Sequence, residues 1–264
     1  MGKLKGFTLI EVALFLAITG ALFVAVTVGV QNSISQQRYN DSVQNFAEFL
    51  RNLYSEVTNV ENTETTGGRS ESAIYGKLVT FGESKDPSGN DINVDGTKNN
   101  IYVYNVVGEI GDGISGSAIE SLKNRNADVV LPGEIKTAGN IESYTPRWSS
   151  KIESTEGSTL FSGALLIIRH PISGIVYTYV KNDGTIEVNK SIADMKFNND
   201  RTPVLQPLLG DGGSFKIEQV DFCVNPEGSA PNNRSDVRVT VGARNASNVN
   251  IVPSDDDEDN KCRN

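Results

Sequence analysis

The chain has 264 residues, 33 of them acidic and 24 basic, for a formal net charge of −9. That balance argues against holding nucleic acid through bulk electrostatics. With a single histidine, no nucleophile elbow and no cluster of metal ligands, no catalytic arrangement emerges.

The opening stub carries Lys3 and Lys5, and Gly6-Phe7-Thr8-Leu9-Ile10-Glu11-Val12 follows. Residues 12–30 contain no charge, and their only polar side chains are Thr19 and Thr27. At roughly 1.5 Å per residue this run just crosses a hydrocarbon core. Lysines before it place the N-terminus in the cytoplasm and everything after Gln31 beyond the membrane. Glu11 stands out. A charged side chain costs roughly 2.5–3.5 kcal/mol at the centre of a spanning helix, and less near an end, so an acid kept there reads as functional. In the type IV pilin and pseudopilin signal that this stretch resembles, cleavage follows the glycine, and here, after Gly6, it would remove both lysines and leave a positive α-amino group four residues before Glu11. In apolar surroundings a carboxylate–ammonium pair costs much less than either ion alone. Two helices offset by about a turn would bring Glu11 of one to the amine of the other and so set their register. A secretory signal needs an A-x-A-like site after its apolar region, which Ala17-Ile18-Thr19 and Ala21-Leu22-Phe23 do not supply. Neither such a signal nor a plain anchor accounts for Glu11.

This stretch resembles the class III signal of type IV pilins and type II secretion pseudopilins. The resemblance implies that a prepilin peptidase cuts between Gly6 and Phe7 and methylates Phe7. It implies further that Glu11 pairs with the N-terminal amine of a neighbouring subunit. The implied parts are a leader at 1–6, a transmembrane and filament-core helix at 7–30, an amphipathic helix at 31–61 and an extracellular β-rich head at 62–264. Many pilins carry a proline in this helix, but none lies between Phe7 and Asn62 here. Gly20 and Gly29 are the soft points, since glycine costs about 1 kcal/mol against alanine in a helix interior.

From Tyr39 the apolar residues Tyr39, Val43, Phe46, Leu50, Leu53, Val57 and Val60 step by four and three, with Phe49 beside them. That is one face of an amphipathic helix, and Arg38, Asp41, Glu48, Arg51 and Glu56 take the others. The stripe could carry a globular head or a coiled coil between subunits. It is short and a β-rich segment follows, which favours the head. Turn residues at 62–68 end the helix.

Residues 74–81, 101–107, 165–169, 175–180, 185–188, 219–224 and 237–241 read as strands from their β-branched and aromatic content. His170-Pro171-Ile172-Ser173-Gly174 and Lys181-Asn182-Asp183-Gly184 are hairpin-type connections, the second with the Asp-Gly pair of tight turns. They make residues 165–188 an antiparallel meander. The expected fold class is α+β, a long N-terminal helix packed on an antiparallel sheet, which agrees with the pilin fold. Residues 84–100 and 108–116 read as surface insertions. The glycines of the second lack the G-K-[ST] of a phosphate loop, and such loops resemble the variable region that pilins display.

Cys223 and Cys262 lie beyond the membrane segment, where oxidation is allowed, and an even count fits one bridge. Two free thiols or a metal site are the alternatives, although His170 is far away in sequence. Many Gram-negative pilins carry a C-terminal disulfide in a similar place. The run Asp255-Asp256-Asp257-Glu258-Asp259 reads as a solvated, self-repelling segment. Calcium is the alternative there, with Asp255, Asp256 and Asp257 as ligands, though the spacing is not that of an EF-hand. No other cofactor is implied. Lys123, Arg125, Arg147 and Lys151 read as surface charge or a local basic patch.

Size and loop content tilt the expectation towards a minor or adhesive pilin of a type IV pilus-like filament. The expected partners are other pilin subunits in a homo- or hetero-polymer, the prepilin peptidase, the pilus assembly platform and the membrane. Nucleic acid is not expected to bind this subunit alone. Before assembly the chain would be a single-pass membrane protein with a cytoplasmic N-terminus, and afterwards part of a cell-surface filament. The alternatives are a pseudopilin of a type II secretion or DNA-uptake system and a membrane-anchored extracellular enzyme.

Overall fold

Fifty residues, Leu9–Thr58, form one unbroken helix, α1. The computed structural model describes residues 8–59, 72–86, 88–92, 100–109, 117–129, 141–155, 160–182, 184, 186–190, 204–209, 215–226, 237–242, 249–252 and 262. The helix passes Gly20 and Gly29 without interruption and closes where the Asn59 N–H donates to Ser55 O at 2.9 Å. It therefore ends slightly before the expected boundary at 61. Every described member of the stripe, from Tyr39 to Val57, is buried in the head. Ala47 and Tyr54, which lie off the four-and-three stepping, are buried as well. The packing face is thus wider than a coiled-coil seam.

Among the described residues, one further α-helix and ten strands follow. They are β1 (Ser72–Phe81), β2 (Ile101–Glu109), α2 (Ala118–Asn124), β3 (Asp128–Val129), β4 (Glu142–Tyr144), β5 (Ser150–Ser154), β6 (Gly163–Arg169), β7 (Val176–Lys181), β8 (Val220–Pro226), β9 (Val237–Val241) and β10 (Val249–Val252). The strands make two antiparallel sheets where the sequence pointed to one. The first runs β3-β2-β1-β6-β7, with β4 also on β2, and the second runs β10-β9-β8-β5. The first sheet is buried on both faces. Val79, Phe81, Ile101, Val103, Leu165 and Ile167 join the core beneath α1. Their alternates Leu78, Tyr102, Tyr104, Leu166 and Ile168 join a second core with α2 and the segments after β7. Double burial is why β6 reads as a continuous apolar run from Ala164 to Ile168.

Between α1 and the two sheets, the ring of Phe222 on β8 lies 5.5 Å from Phe46, 5.3 Å from Phe81 and 4.8 Å from Phe161. Polar ties hold the helix in place. The Tyr39 hydroxyl donates to Val224 O at 2.9 Å and accepts from Val237 N at 2.6 Å, joining β8 to β9. The Tyr54 hydroxyl bonds Thr178, and Lys77, buried on β1, pairs with Glu56 of α1. Gly76 has to be glycine for a packing reason: a Cβ there would strike Ile167 O on the neighbouring strand. Cys223 and Cys262 are joined in a disulfide with Cα atoms 5.5 Å apart, 39 residues apart in sequence. Closing such a loop stabilises by a few kcal/mol in the chain-entropy model, and it ties the end of the chain to β8.

The described part of the strand expected at 185–188, residues 186–188, is not the third strand of a meander. After the turn at Gly184 (φ +92°) the chain leaves the sheet, and residues 188–190 are helical. The free edge of β7 is met instead at Val180 by Lys216, with paired bonds of 2.7 and 2.9 Å. Ile186 and Val188 are both buried, so their alternation reports burial without strand pairing. Gly108, expected in a surface loop, lies inside β2 against Ala127. The strand expected from Ile175 begins at Val176, because Ile175 O accepts from His170 N in the turn.

Candidate functional site

The described part of the head exposes few large apolar side chains: Trp148, Ile172, Ile175 and Ile217. Fourteen others, from Leu9 to Ile34, all lie on the first half of α1, with Leu9 88 % and Phe23 74 % exposed. A helix apolar on every side is stable only inside a core, a bilayer or a bundle of like helices. Residues 9–30 rise about 33 Å, enough for a hydrocarbon layer of about 30 Å. This is the one helix among the described residues long and apolar enough to cross a membrane. Its polar side chains are satisfied within the helix. Thr19 and Thr27 donate to Phe15 O and Phe23 O, each at 2.8 Å.

Glu11 sits at the head of this apolar half. Thr8 is the N-cap, and its backbone N–H and hydroxyl both donate to Glu11 Oε2 at 2.9 Å. The Glu11 N–H returns a bond to Thr8 Oγ1 at 3.3 Å. Thr8-x-x-Glu11 is thus a capping box, which satisfies orphan donors at the helix start. The carboxylate is held near the axis end with its outer face open. Gly6 and Phe7, the expected processing pair, lie outside the described residues.

Other expected positions scatter. Asp255, Asp256 and Asp257 fall outside the described residues, as do most of the two expected insertions. Among the described residues, no group of three His, Cys, Asp or Glu side chains could hold a metal. His170 serves its own turn, its Nδ1 accepting from the N–H groups of Ile172 and Ser173 at 3.2 and 3.1 Å. The four basic candidates do not form one patch. Lys123 ends α2, Arg147 lies beside α1 and Lys151 is on β5. Arg125 is 5 % exposed, so it is not a surface charge. Its NH1 donates to the Tyr75 hydroxyl at 2.8 Å and to Glu109 O at 3.1 Å.

A polar cleft of about 480 Å³ opens between β5, the turn after β7 and β8. Its carboxylates already have partners: Asn182 donates to Glu218 at 3.1 Å and Gln219 to Asp221 at 3.3 Å.

Glu83 escaped sequence reading, because an acid between a strand and a polar stretch looks like any loop residue. It is 2 % exposed. Thr80 and Tyr104 donate their hydroxyls to Oε1, the latter at 2.6 Å, and Asn189 N donates to Oε2 at 2.7 Å. Neighbouring Glu187 accepts from Ser84 N and Oγ. The two carboxylates pin the segment after β7, which explains why it leaves the sheet. Burial outweighs the three donors and pushes the Glu83 carboxyl from 4.5 up to about 7.

A raised acid pKa means the folded chain keeps a proton that the unfolded chain has lost between pH 4.5 and 7. Stability therefore falls as pH rises through that window, by at most about 1.4 kcal/mol per pH unit. Urea midpoints measured from pH 5 to 8 should show this slope in the wild type and its loss in Glu83→Gln. Equal slopes in the two proteins would refute the assignment.

Comparison with known proteins finds no matching family model, no matching curated protein and no matching solved structure.

Proposed function

We propose that this chain is a structural subunit of a type IV pilus-like filament, a minor or adhesive pilin that is processed between Gly6 and Phe7 and assembles through α1. One observation carries the proposal: among the described residues, fourteen of the eighteen exposed large apolar side chains are gathered between Leu9 and Ile34 of a single helix, and that stretch opens on a carboxylate. Lipid satisfies the apolar side chains before assembly, and like helices satisfy them afterwards. Glu11, flanked by exposed Ile10 and Val12, then needs a cation, and the amine freed by cleavage is the nearest chemistry that supplies one. The head, closed around its two cores, stands on the opposite side of the membrane from Lys3 and Lys5.

Processing tests the proposal. N-terminal sequencing of filament material should begin at a methylated Phe7, and Gly6→Leu should leave the chain uncut. Finding Met1, or a start beyond residue 30, would overturn it. Secretion and DNA-uptake filaments share this signal, and abundance in sheared surface filaments separates a pilus subunit from them.

A further inference from the structure

At the foot of the head the chain turns through two consecutive left-handed residues, Trp148 (φ +57°) and Ser149 (φ +59°), neither of them glycine. Such conformations cost about 1–3 kcal/mol each and persist only where the surroundings enforce them. A buried indole would repay the turn, yet Trp148 is 47 % exposed. The corner is nevertheless fixed. Pro146 and Ser150 on either side are buried, and the Ser42 hydroxyl of α1 donates to Arg147 O at 3.1 Å. The Arg38 guanidinium lies 4.8 Å from the centre of the indole. The ring is thus held outward, with the Arg38 guanidinium against it and exposed Arg147 next to it in the chain.

Its height along α1 gives the corner a partner. Arg38 is eight residues beyond Val30, the last residue of the uncharged run, a rise of about 12 Å. A helical side chain covers the turn before its own Cα, which brings the Arg38 head back by about 5 Å. The indole stacked on it therefore stands roughly 7 Å above the hydrocarbon edge. The headgroup layer is about 5–8 Å thick on each side of the bilayer.

We propose that Trp148, Arg38 and Arg147 form an interfacial foot that seats the head on phospholipid headgroups where α1 leaves the membrane. Tryptophan favours this layer because its ring is apolar and its N–H is polar. Guanidinium groups match phosphate oxygens in pairs. The proposal rests on the reading that residues 12–30 cross the bilayer. It adds that the head has a defined stance on the surface before the subunit is drawn into a filament.

Trp148 is the only tryptophan in the chain, so its fluorescence reports this site alone. The full chain would be reconstituted in phosphatidylcholine–phosphatidylglycerol vesicles containing lipids brominated either near the headgroup or at mid-chain. The expected result is emission quenched more by shallow than by deep bromine, with Arg38→Ala plus Arg147→Ala weakening the shallow quenching. Emission indifferent to both bromines and fully open to aqueous iodide overturns the foot. Blue-shifted emission indifferent to both bromines means that a second copy covers the ring, and overturns it too. A Leu16→Trp reporter in a Trp148→Phe background separates the premises. Deep quenching of that reporter without shallow quenching of Trp148 removes the foot and keeps the span. No quenching of either removes both.

Discussion

Phe222→Ala should lower the stability of the head by about 3–5 kcal/mol, the usual cost of emptying a phenylalanine site in a packed core. Phe222 is fully buried, and its three ring neighbours come from different parts of the chain. Phe46 belongs to α1, Phe81 to β1 and Phe161 to the segment entering β6. One side chain thus joins the helix to both sheets, and neighbours on rigid strands cannot collapse far into the void. Domains are stable by only about 5–15 kcal/mol, so the variant should lose a large part of its margin. Urea unfolding of the detergent-solubilised chain, followed by circular dichroism, measures the loss. Ile172→Ala, at a position 59 % exposed, should change stability by less than about 0.5 kcal/mol. A loss below about 1 kcal/mol at Phe222 would mean that the two sheets do not share the core described above.

How much of this architecture the residues disclose depends on how local its causes are. The buried face of α1 was legible because a helix writes its partner surface as a period in its own sequence. Strands β1, β2, β6 and β7 were legible because burial on both faces leaves them rich in aliphatic, β-branched and aromatic residues. Strand β5 was not. Its Ser-Lys-Ile-Glu-Ser sequence has one apolar residue, and its strand character comes from pairing Ile152 with Val224, more than seventy residues away. Residues 185–188 misled for the opposite reason. Their alternation is real, but contacts from Glu83 and Glu187 decide where the segment goes, and carboxylates leave no periodic mark. At the helix start, the apolar context made Glu11 conspicuous. The capping box is written there too, as Thr8-x-x-Glu11, although the pattern alone does not distinguish a cap from a subunit contact.

That capping box sharpens the test of Glu11. In Glu11→Val the membrane segment should insert as well as the wild type or better, since an apolar residue is cheaper in lipid. Incorporation into filaments should be lost, because the neighbour's amine would then be buried without a counter-ion, a situation that costs several kcal/mol. Valine alone cannot decide the cause, because it also removes the acceptor that Thr8 uses at 2.9 Å. Glu11→Gln separates the two roles. Its amide oxygen can still accept from Thr8 and keep the cap, but it carries no charge for the amine. If the carboxylate acts as the partner of a cleaved neighbour, Gln and Val should both fail to assemble while both insert and are cut after Gly6. If Glu11 matters only as a helix cap, Gln should assemble like the wild type, Val should fail, and Thr8→Ala should fail with it. The measurement is the fraction of processed subunit in sheared filaments, with the variant as the only copy of the gene so that no wild-type subunit carries it in. Normal assembly of Glu11→Gln would remove the charge from the mechanism and leave α1 held in the filament by its apolar surface alone.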